Sequence, residues 1–355
     1  MQTHRLQEIP PAAGAAPAAP RRERRPPVVR RAVHGVLLLD KPLGLTSNAA
    51  LQQARRLLRA EKAGHTGTLD PLATGLLPVC FGAATKFSQA GLDGDKAYRA
   101  TLRLGATTTT GDGEGELLRE RPVAATPANI DCACRRFIGD IEQIPPMHSA
   151  LKHEGRALYD YARAGIEIDR QARRVTVHAI DVVGRQGDLL TLDVRCGKGT
   201  YIRTLAADIG EALGCGAHLA ALRRTASGTL AVGAACTLEA LAGLAEGDRE
   251  RLLLPVDALL AGWPALRLDD PAEAARFLTG LRRRVDMPDQ PRVRVYGPAA
   301  PDGAADFLGS GHVQGGELIA VRLLSPLEVR AAARTPVATL AATRPNDSIS
   351  IDPIN

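Results

Sequence analysis

Residues 64–78, GHTGTLDPLATGLLP, form the segment of this sequence that most strongly indicates positioned chemistry. Its glycines and prolines predict a shaped loop, neither helix nor strand, that presents one carboxylate, Asp70, together with His65 and several hydroxyl groups. A lone carboxylate in such a loop either caps a turn through its side chain or acts as a nucleophile or base. The segment by itself leaves both interpretations open.

Three other short patterns carry a weaker signal. Ser149–Lys152 matches the S-x-x-K pattern of serine acyl enzymes, but the sequence lacks the K-T-G and S-D-N segments that accompany it there. Residues 197–200, GKGT, do not have the spacing of a phosphate-binding loop. Residues 107–115, TTTTGDGEG, are expected to form a polar loop in which Asp112 and Glu114 face solvent, so no metal site is predicted.

The elements that would position these segments alternate irregularly. Apolar runs predict strands near 35–41, 97–105, 173–183 and 189–196, and capping residues with helical spacing predict helices near 47–60, 128–138 and 201–213. This order predicts an α+β fold with a mixed, mostly antiparallel sheet and flanking helices. Pro and Gly residues around 255–267 indicate an inter-domain link, and short strand-like pieces up to residue 325 predict a small β-rich second domain.

The composition excludes several classes of protein. With 355 residues, 45% hydrophobic and 24% charged, the chain is neither a fibre, nor wholly disordered, nor a small disulfide scaffold. Residues 1–34 combine Pro and Ala with seven Arg and two Glu, and so carry most of the net charge of +6. We expect this segment to be a disordered basic tail. A nucleic-acid partner would then have to meet a local basic surface of the folded part.

Cysteine spacing and hydropathy indicate the compartment. The six cysteines form no C-x-x-C pair, which favours buried reduced thiols over zinc ligands or disulfides. The sequence has no signal-peptide-like apolar region and no uninterrupted apolar stretch of membrane-spanning length. We therefore expect a cytoplasmic protein that does not enter a membrane.

The segment around Asp70 closely resembles the catalytic motif of the tRNA pseudouridine synthase B family, and four more segments resemble that family in the same order. They are LLLDKPLGLTSN at 37–48, DKAYRATLRLG at 95–105, GKGTYIRTLAADIG at 197–210 and HLAALRRT at 218–225. Together the five segments extend from about residue 35 to 225. An accidental match of this extent has a very small chance.

The resemblance implies three catalytic residues. Asp70 falls where the family has its catalytic aspartate, and Arg203 falls where the family has an arginine that pairs with it. Such a pair would counter the desolvation of the carboxylate and orient it. Tyr98 falls where the family places a tyrosine against the uracil ring, and its phenol is a candidate for the late proton removal at C5.

The resemblance also implies residues that bind the substrate. His65 is similar to the family's histidine that enters the T-loop and helps to hold the base out. Tyr201 and Leu222 match positions at the base pocket. Lys41 matches a lysine of the first motif, and we expect it either to contact RNA or to brace the Asp70 loop.

The resemblance also implies the limits of the domains. We expect a catalytic domain over 35–262, with a mobile flap at about 145–174 whose Lys152 contacts RNA phosphates, and a small RNA-binding domain of the PUA type over 263–325. Residues 326–355 are expected to be a C-terminal tail. The flap departs from the family at His148, where a tyrosine is more usual, and this puts one flap contact in doubt.

The activity implied by the resemblance is the isomerisation of uridine 55 in the T-loop of tRNA to pseudouridine. This reaction transfers no external group and needs no metal or other cofactor, and the expected partner is tRNA, bound by a monomer. Asp70 would attack C6 of the uracil, attack C1′ of the ribose or remove a 2′ proton, and the sequence does not decide between these. The alternative function is a non-catalytic protein that binds and folds tRNA with the same surface.

Overall fold

Strands and helices alternate irregularly in the computed structural model, which describes residues 29–301 and 303–334. The strands are β1 (Gly35–Lys41), β2 (Ala63–His65), β3 (Ala73–Phe81), β4 (Lys96–Leu104), β5 (Ala106–Thr108), β6 (Leu117–Glu120), β7 (Gly139–Gln143), β8 (Lys152–His153), β9 (Arg156–Ala157), β10 (Arg173–Gln186), β11 (Leu189–Cys196), β12 (Ala217–Ser227), β13 (Leu230–Ala231), β14 (Ala265–Arg267), β15 (Arg283–Arg284), β16 (Gln290–Ala299), β17 (Ala305–Gln314) and β18 (Glu317–Leu323). The helices are α1 (Ser47–Leu57), α2 (Ser88–Asp93), α3 (Pro127–Arg135), α4 (Leu158–Arg163), α5 (Ile202–Ala212), α6 (Leu238–Gly243), α7 (Pro271–Phe277) and α8 (Pro326–Arg334).

The large sheet has the strand order β1-β3-β12-β4-β11-β10-β7, with β2 beside β3 and β13 beside β12. Along this order, β3 and β12 run parallel and the other neighbours run antiparallel. The predicted α+β fold with a mixed, mostly antiparallel sheet is therefore confirmed. The neighbouring strands β12 and β4 carry two of the residues that the sequence singles out, Leu222 and Tyr98.

Strand β1 shows why the sheet is covered on both faces. Its alternating apolar residues divide between two buried clusters, since Leu37 and Leu39 pack in the cluster that includes the apolar side of α1. Val36 and Leu38 point the other way, into a cluster that the C-terminal sheet also lines. A strand buried on both faces reads as a continuous apolar run, and GVLLLDK is such a run.

The C-terminal sheet has the order β14-β16-β17-β18-β15 and curls into a half-barrel. Its core side chains, among them Val293 and Val295, belong to the same buried cluster as Phe277 of α7 and Val36 of β1. The rings of Phe87 and Phe307 meet edge to face across this junction, with centroids 5.1 Å apart. The segment 255–267, which the sequence marks as a link, is thus part of a core that joins the two sheets.

Both expected tails are shorter than the sequence suggests. The sequence predicts that order starts at Gly35, but Val33 and His34 are already buried, and His34 Nδ1 accepts a hydrogen bond of 3.1 Å from Ala83 N. An apolar side chain and a well-placed acceptor fix this end of the segment. Residues 326–334 form α8, where Glu328 pairs with Lys86 at 2.6 Å. The rest of the two tails, 1–28 and 335–355, lies outside the described residues.

Candidate active site

The Asp70 loop is shorter than expected, because both ends of the segment 64–78 are strand. Residues 63–65 form β2, and the chain enters β3 at Ala73, so the loop proper is 66–72. Gly75 is what lets β3 start here: its φ is +95°, and a Cβ would lie 2.3 Å from the main-chain oxygen of Arg224 on β12. The expectation of a loop throughout was wrong because close pairing of β3 with its neighbours outweighs the glycines and Pro78.

A side chain from α1 fixes the Asp70 loop. The hydroxyl of Ser47 is buried and makes hydrogen bonds with both Leu69 N, at 2.7 Å, and Leu69 O, at 3.0 Å. Residue Pro71 accepts a further hydrogen bond from Gly44 N, at 2.9 Å. Asp70 therefore lies between two positions that are tied to the β1–α1 turn, which limits the movement of its carboxylate.

The structure places Arg203 next to Asp70, as the resemblance implies. Arg203 is the second residue of α5, and its Nη2 lies 3.1 Å from Asp70 Oδ2. The guanidinium is 6% exposed, whereas the Asp70 side chain is 40% exposed toward the cleft. A buried guanidinium held against a partly open carboxylate orients the carboxylate for reaction.

Asp112 completes this cluster, and the sequence reasoning missed it. We expected residues 107–115 to be a solvent-facing loop, but β5 and β6 form a hairpin whose tip carries Asp112 into the protein. Its side chain is 4% exposed and lies 3.5 Å from Arg203 Nη1. Thr110 Oγ1 and Glu114 N donate to Asp112 Oδ1, so the tip is closed by its own polar groups. The run of threonines close to an aspartate was the sequence signal that could have indicated a closed polar turn here.

The surroundings of Asp70 make its carboxylate easier to protonate than a carboxylate in water. Burial raises the pKa of Asp70 above its usual 3.8, and this effect outweighs the opposite effect of the Arg203 charge. The negative charge of Asp112 raises the pKa of Asp70 further, while Lys41 lowers it. The arginine thus offsets only part of the cost of holding the carboxylate in the cleft.

A cavity of about 350 Å³ opens beside Asp70. Tyr98 on β4, Tyr201 before α5 and Leu222 on β12 all line it, together with Asp70 and Arg203. Gln143 on β7 holds the main chain at Tyr201, since its Oε1 accepts from Tyr201 N at 2.9 Å and its Nε2 donates to Tyr201 O at 3.3 Å. Aromatic and aliphatic walls beside a charged pair fit a flat ring with polar edges.

Two cationic side chains in this cavity were missed by the sequence reasoning. Arg224 lies directly opposite Tyr98 in the register of β12 and β4, so both side chains share a face of the sheet. Lys96 lies two residues before Tyr98 on β4 and therefore points to the same side. Both line the cavity, and both are buried. Side chains two residues apart on a strand point to the same face. This spacing, from Tyr98 to Lys96 and from Leu222 to Arg224, was the sequence signal that could have identified them.

His65 faces a second cavity and not the first. This second cavity has a volume of about 500 Å³, adjoins the same Asp70 loop and is also lined by His148 of the expected flap. Burial lowers the pKa of His65, and the charge of Arg224 lowers it further, so the ring is neutral near pH 7. Its Nδ1 is buried without a partner among the described residues.

Lys41 is buried at the β1–α1 turn, which favours the second of the two roles that we expected, that of bracing the Asp70 loop. Its side chain is fully buried, and Nζ donates to the main-chain oxygens of Pro42, at 2.9 Å, and Leu45, at 2.6 Å. Burial lowers the pKa of Lys41 to about 8. Lys41 therefore braces the turn that holds Pro71, and through it the Asp70 loop.

The segment expected to be a flap lies over the site. Ser149 and Ala150 line both cavities and separate them, and the main-chain oxygen of His148 accepts a hydrogen bond from Arg203 Nη2. This contact uses the backbone, so the unusual side chain at 148 does not alter it. Lys152 lies on the exposed β8–β9 hairpin and does not line either cavity.

Residues 29–301 and 303–334 contain no group of three His, Cys, Asp or Glu side chains placed to hold a metal ion. The helices in these ranges include none that is long and apolar enough to cross a membrane.

Comparison with known proteins identifies the family of the chain. Residues 55–202 match the family model for the N-terminal domain of TruB family pseudouridylate synthases, and residues 203–261 match the model for the C-terminal domain of tRNA pseudouridylate synthase B. The tRNA pseudouridine synthase B of Ralstonia pickettii is 57% identical over 312 residues, which cover 85% of this chain and 97% of that protein. The chain belongs to the tRNA pseudouridine synthase B family. A second member, from Cupriavidus metallidurans, is 61% identical over 269 residues, 75% of this chain and 85% of that protein.

Solved structures support the same fold outside the bacterial members of the family. A chain of a Cbf5-Nop10-Gar1 complex superposes with a TM-score of 0.62 at 27% identity, covering 82% of this chain and 84% of that one. A chain of an H/ACA RNP bound to a substrate RNA containing 2′-deoxyuridine superposes with a TM-score of 0.62 at 25% identity, covering 83% and 86%. The family fold thus extends over most of the chain.

Proposed function

We propose that this family member isomerises uridine 55 in the T-loop of tRNA to pseudouridine. The observation that carries the proposal is the Asp70 carboxylate, held 3.1 Å from buried Arg203 at the edge of a cavity lined by Tyr98 and Leu222. The names of its relatives support tRNA as the substrate class and pseudouridylation as the reaction.

The reaction needs a carboxylate that reaches the ribose or the base while the base remains enclosed. The uracil ring must leave C1′ through N1 and return through C5, so it has to stay in the pocket between the two steps. The cavity of about 350 Å³ has room for one such ring next to Asp70. No group is transferred and no electron is gained or lost, so the proposed reaction requires no cofactor.

The target base must first leave its stack in the T-loop, which costs a few kcal/mol. Contact of the flipped ring with Tyr98 offsets this cost, since stacking on an aromatic side chain contributes about 1–3 kcal/mol per base. We assign to His65, which lines the adjoining cavity, the part of the loop that the base vacates. This division gives the two cavities different roles.

The remaining surface is assigned to holding the tRNA. Lys152 on the β8–β9 hairpin and the C-terminal half-barrel over 263–325 are the proposed RNA contacts outside the catalytic domain over 35–262. The protein is proposed to act as a monomer in the cytoplasm, where its substrate is found.

The direct experiment supplies the purified protein with an unmodified T-arm transcript. Mass-spectrometric mapping should find pseudouridine at position 55 and at no other uridine, and a transcript with cytidine at that position should remain unmodified. Absence of pseudouridine from the first transcript, with the RNA bound, would leave the alternative of a protein that binds and folds tRNA.

A further inference from the structure

Two buried cations form one wall of the uracil pocket. Lys96 is 8% exposed and Arg224 is 1% exposed, and both line the cavity together with Tyr98. Neither forms an ion pair with a carboxylate anywhere in the described part of the chain. The carboxylates of the site, Asp70 and Asp112, are instead taken up by Arg203.

The partners of the two cations are main-chain carbonyl groups. Lys96 Nζ donates to the carbonyls of Gly91, at 3.2 Å, and Leu92, at 2.6 Å, and also to that of Gly94. These three carbonyls lie at the end of α2. They satisfy the hydrogen-bonding capacity of the ammonium group but carry no net charge. The nearby carboxylates of Asp93 and Asp95 raise the pKa of Lys96, but they lie closest to Lys198 and His178 and form no ion pair with Lys96 among the described residues.

Arg224 is held in the same way. Its Nε donates to Leu76 O at 2.6 Å, and its Nη2 donates to Gly67 O at 3.1 Å in the Asp70 loop. It is also close enough to Lys96 for the two like charges to interact, since burial lowers the pKa of Lys96 to about 8 and the Arg224 charge contributes to that shift. Two like charges are therefore buried side by side.

Such an arrangement is costly for a protein that has nothing to bind there. Burying an unpaired charge is among the most unfavourable contributions to folding, and a second like charge nearby adds to it. Many uncharged side chains would fill the same space. The cost is offset if an anion, or a group that becomes anionic, enters the pocket and pairs with both cations.

We propose that Lys96 and Arg224 stabilise the negative charge of the uracil ring after it has separated from the ribose. This inference rests on the proposed function, because it concerns the same pocket and the same reaction. The pair acts on the detached base, whereas Asp70 and Arg203 act at the bond that is broken. Its main-chain hydrogen bonds hold the charges in place before the reaction begins.

The electron count explains why the detached ring is anionic. When the N1–C1′ bond breaks, its electron pair stays on N1 and spreads to O2 and O4. On the two routes in which Asp70 acts on the ribose, by forming a bond to C1′ or by taking the 2′ proton, the ring leaves as an anion. The inference applies to these two routes and not to the addition of Asp70 to C6, in which the ring stays bonded to Asp70. C5 then uses an electron pair of the ring to bond to C1′, Asp70 is released or returns the proton, and the C5 proton is lost while N1 gains one.

The test compares two substrates in single-turnover reactions. T-arm RNA carries either uridine or 5-fluorouridine at the target position, and the measured rate is the disappearance of the N-glycoside. Fluorine at C5 stabilises the detached anion without help from the protein. Lys96→Met and Arg224→Met, which keep an unbranched uncharged side chain, should slow the uridine reaction by about 100-fold and the 5-fluorouridine reaction by about tenfold or less.

Lys198→Met is the matched control. Lys198 pairs with Asp93 at 2.9 Å but does not line the cavity, so its replacement should change both rates by the same small factor. If the Met variants slow both substrates equally, or neither, Lys96 and Arg224 have only a structural role and the inference is wrong.

Two further results distinguish a failure of this inference from a failure of the proposed function or of folding. Lys96→Arg and Arg224→Lys keep the charge, so they should retain the wild-type ratio of the two rates even if they are slower, and a ratio like that of the Met variants contradicts the inference. These variants also serve if a Met variant does not fold. Equal slowing in an enzyme that still forms pseudouridine overturns only this inference, whereas a wild-type protein without that activity overturns the proposed function.

Discussion

The buried carboxylate of Asp112 lies 3.5 Å from Arg203 Nη1, while Asp70 uses the other terminal nitrogen of the same guanidinium at 3.1 Å. One arginine therefore serves two carboxylates, of which one is 4% exposed and the other 40% exposed. The buried partner fixes the direction of the guanidinium, and the exposed partner is the one available for chemistry. This relationship makes Asp112 a positioning residue.

Asp112→Asn should lower kcat for pseudouridine formation by about 100-fold, because an arginine free to turn misplaces the reacting carboxylate. The affinity for a T-arm transcript should stay within about twofold of the wild type, since only 4% of the Asp112 side chain is exposed. Asp193→Asn is a suitable control, because it breaks the ion pair with Arg99 away from the cavity and should leave kcat unchanged. An Asp112→Asn enzyme with wild-type kcat would show that Arg203 needs no second partner.

The pH profile of single-turnover rates should report the raised pKa of Asp70. The reactive form is the carboxylate, so activity is lost as the pH falls, and the loss should be centred above 3.8 because burial raises this pKa. In Asp112→Asn the acid limb should move to lower pH, since a charge that raises the pKa is gone. Movement of the limb to higher pH in that variant would contradict the assigned electrostatics.

The two proposed roles of Tyr98, stacking by its ring and proton removal by its hydroxyl group, can be tested separately. Tyr98→Phe keeps the stacking surface and should bind T-arm RNA within about twofold, whereas Tyr98→Ala should lose about 1–3 kcal/mol of binding to the flipped base. If the phenol takes part in proton removal at C5, a substrate with deuterium at C5 should show a larger isotope effect in the Phe variant. An isotope effect equal to that of the wild type limits Tyr98 to a stacking platform.

Replacement of Lys41 should lower the rate of the reaction without changing the number of RNA phosphates that the protein contacts. In Lys41→Met, kcat should fall because the turn that holds Pro71 loses its brace, while the slope of log affinity against log salt should be unchanged. Lys152→Met should reduce that slope by about one, as expected of an exposed phosphate contact. A reduced slope in Lys41→Met would mean that the lysine leaves its buried position and reaches the RNA.

The strands could be predicted from the sequence because they depend on local pattern, whereas the pair of Asp70 and Arg203 was predicted from the resemblance to the family. GVLLLDK is a buried strand by its composition, and Thr46 caps α1 by accepting from Ala49 N, as its residue type suggests. Asp70 and Arg203 were identified together from two separate motifs, and the structure brings them into contact. Their catalytic roles remain a prediction until they are measured.

Asp112, Lys96 and Arg224 could not be predicted because their environment is created by distant parts of the chain. Asp112 is buried only because a hairpin folds over α5 and pairs with Leu219 of β12. Arg224 becomes part of the pocket through the register between β12 and β4, which places it opposite Tyr98. A charged residue in a strand suggests that its side chain is exposed. Only the pairing of the strands in three dimensions shows that this side chain is buried.

The central claim is that Asp70 carries out the reaction, and the nearly isosteric Asp70→Asn variant tests it most directly. Single-turnover assays on an unmodified T-arm transcript should detect no pseudouridine at position 55 with this variant, while its affinity for the transcript stays within a few fold of the wild type. Conversion by Asp70→Asn at the wild-type rate would contradict the account.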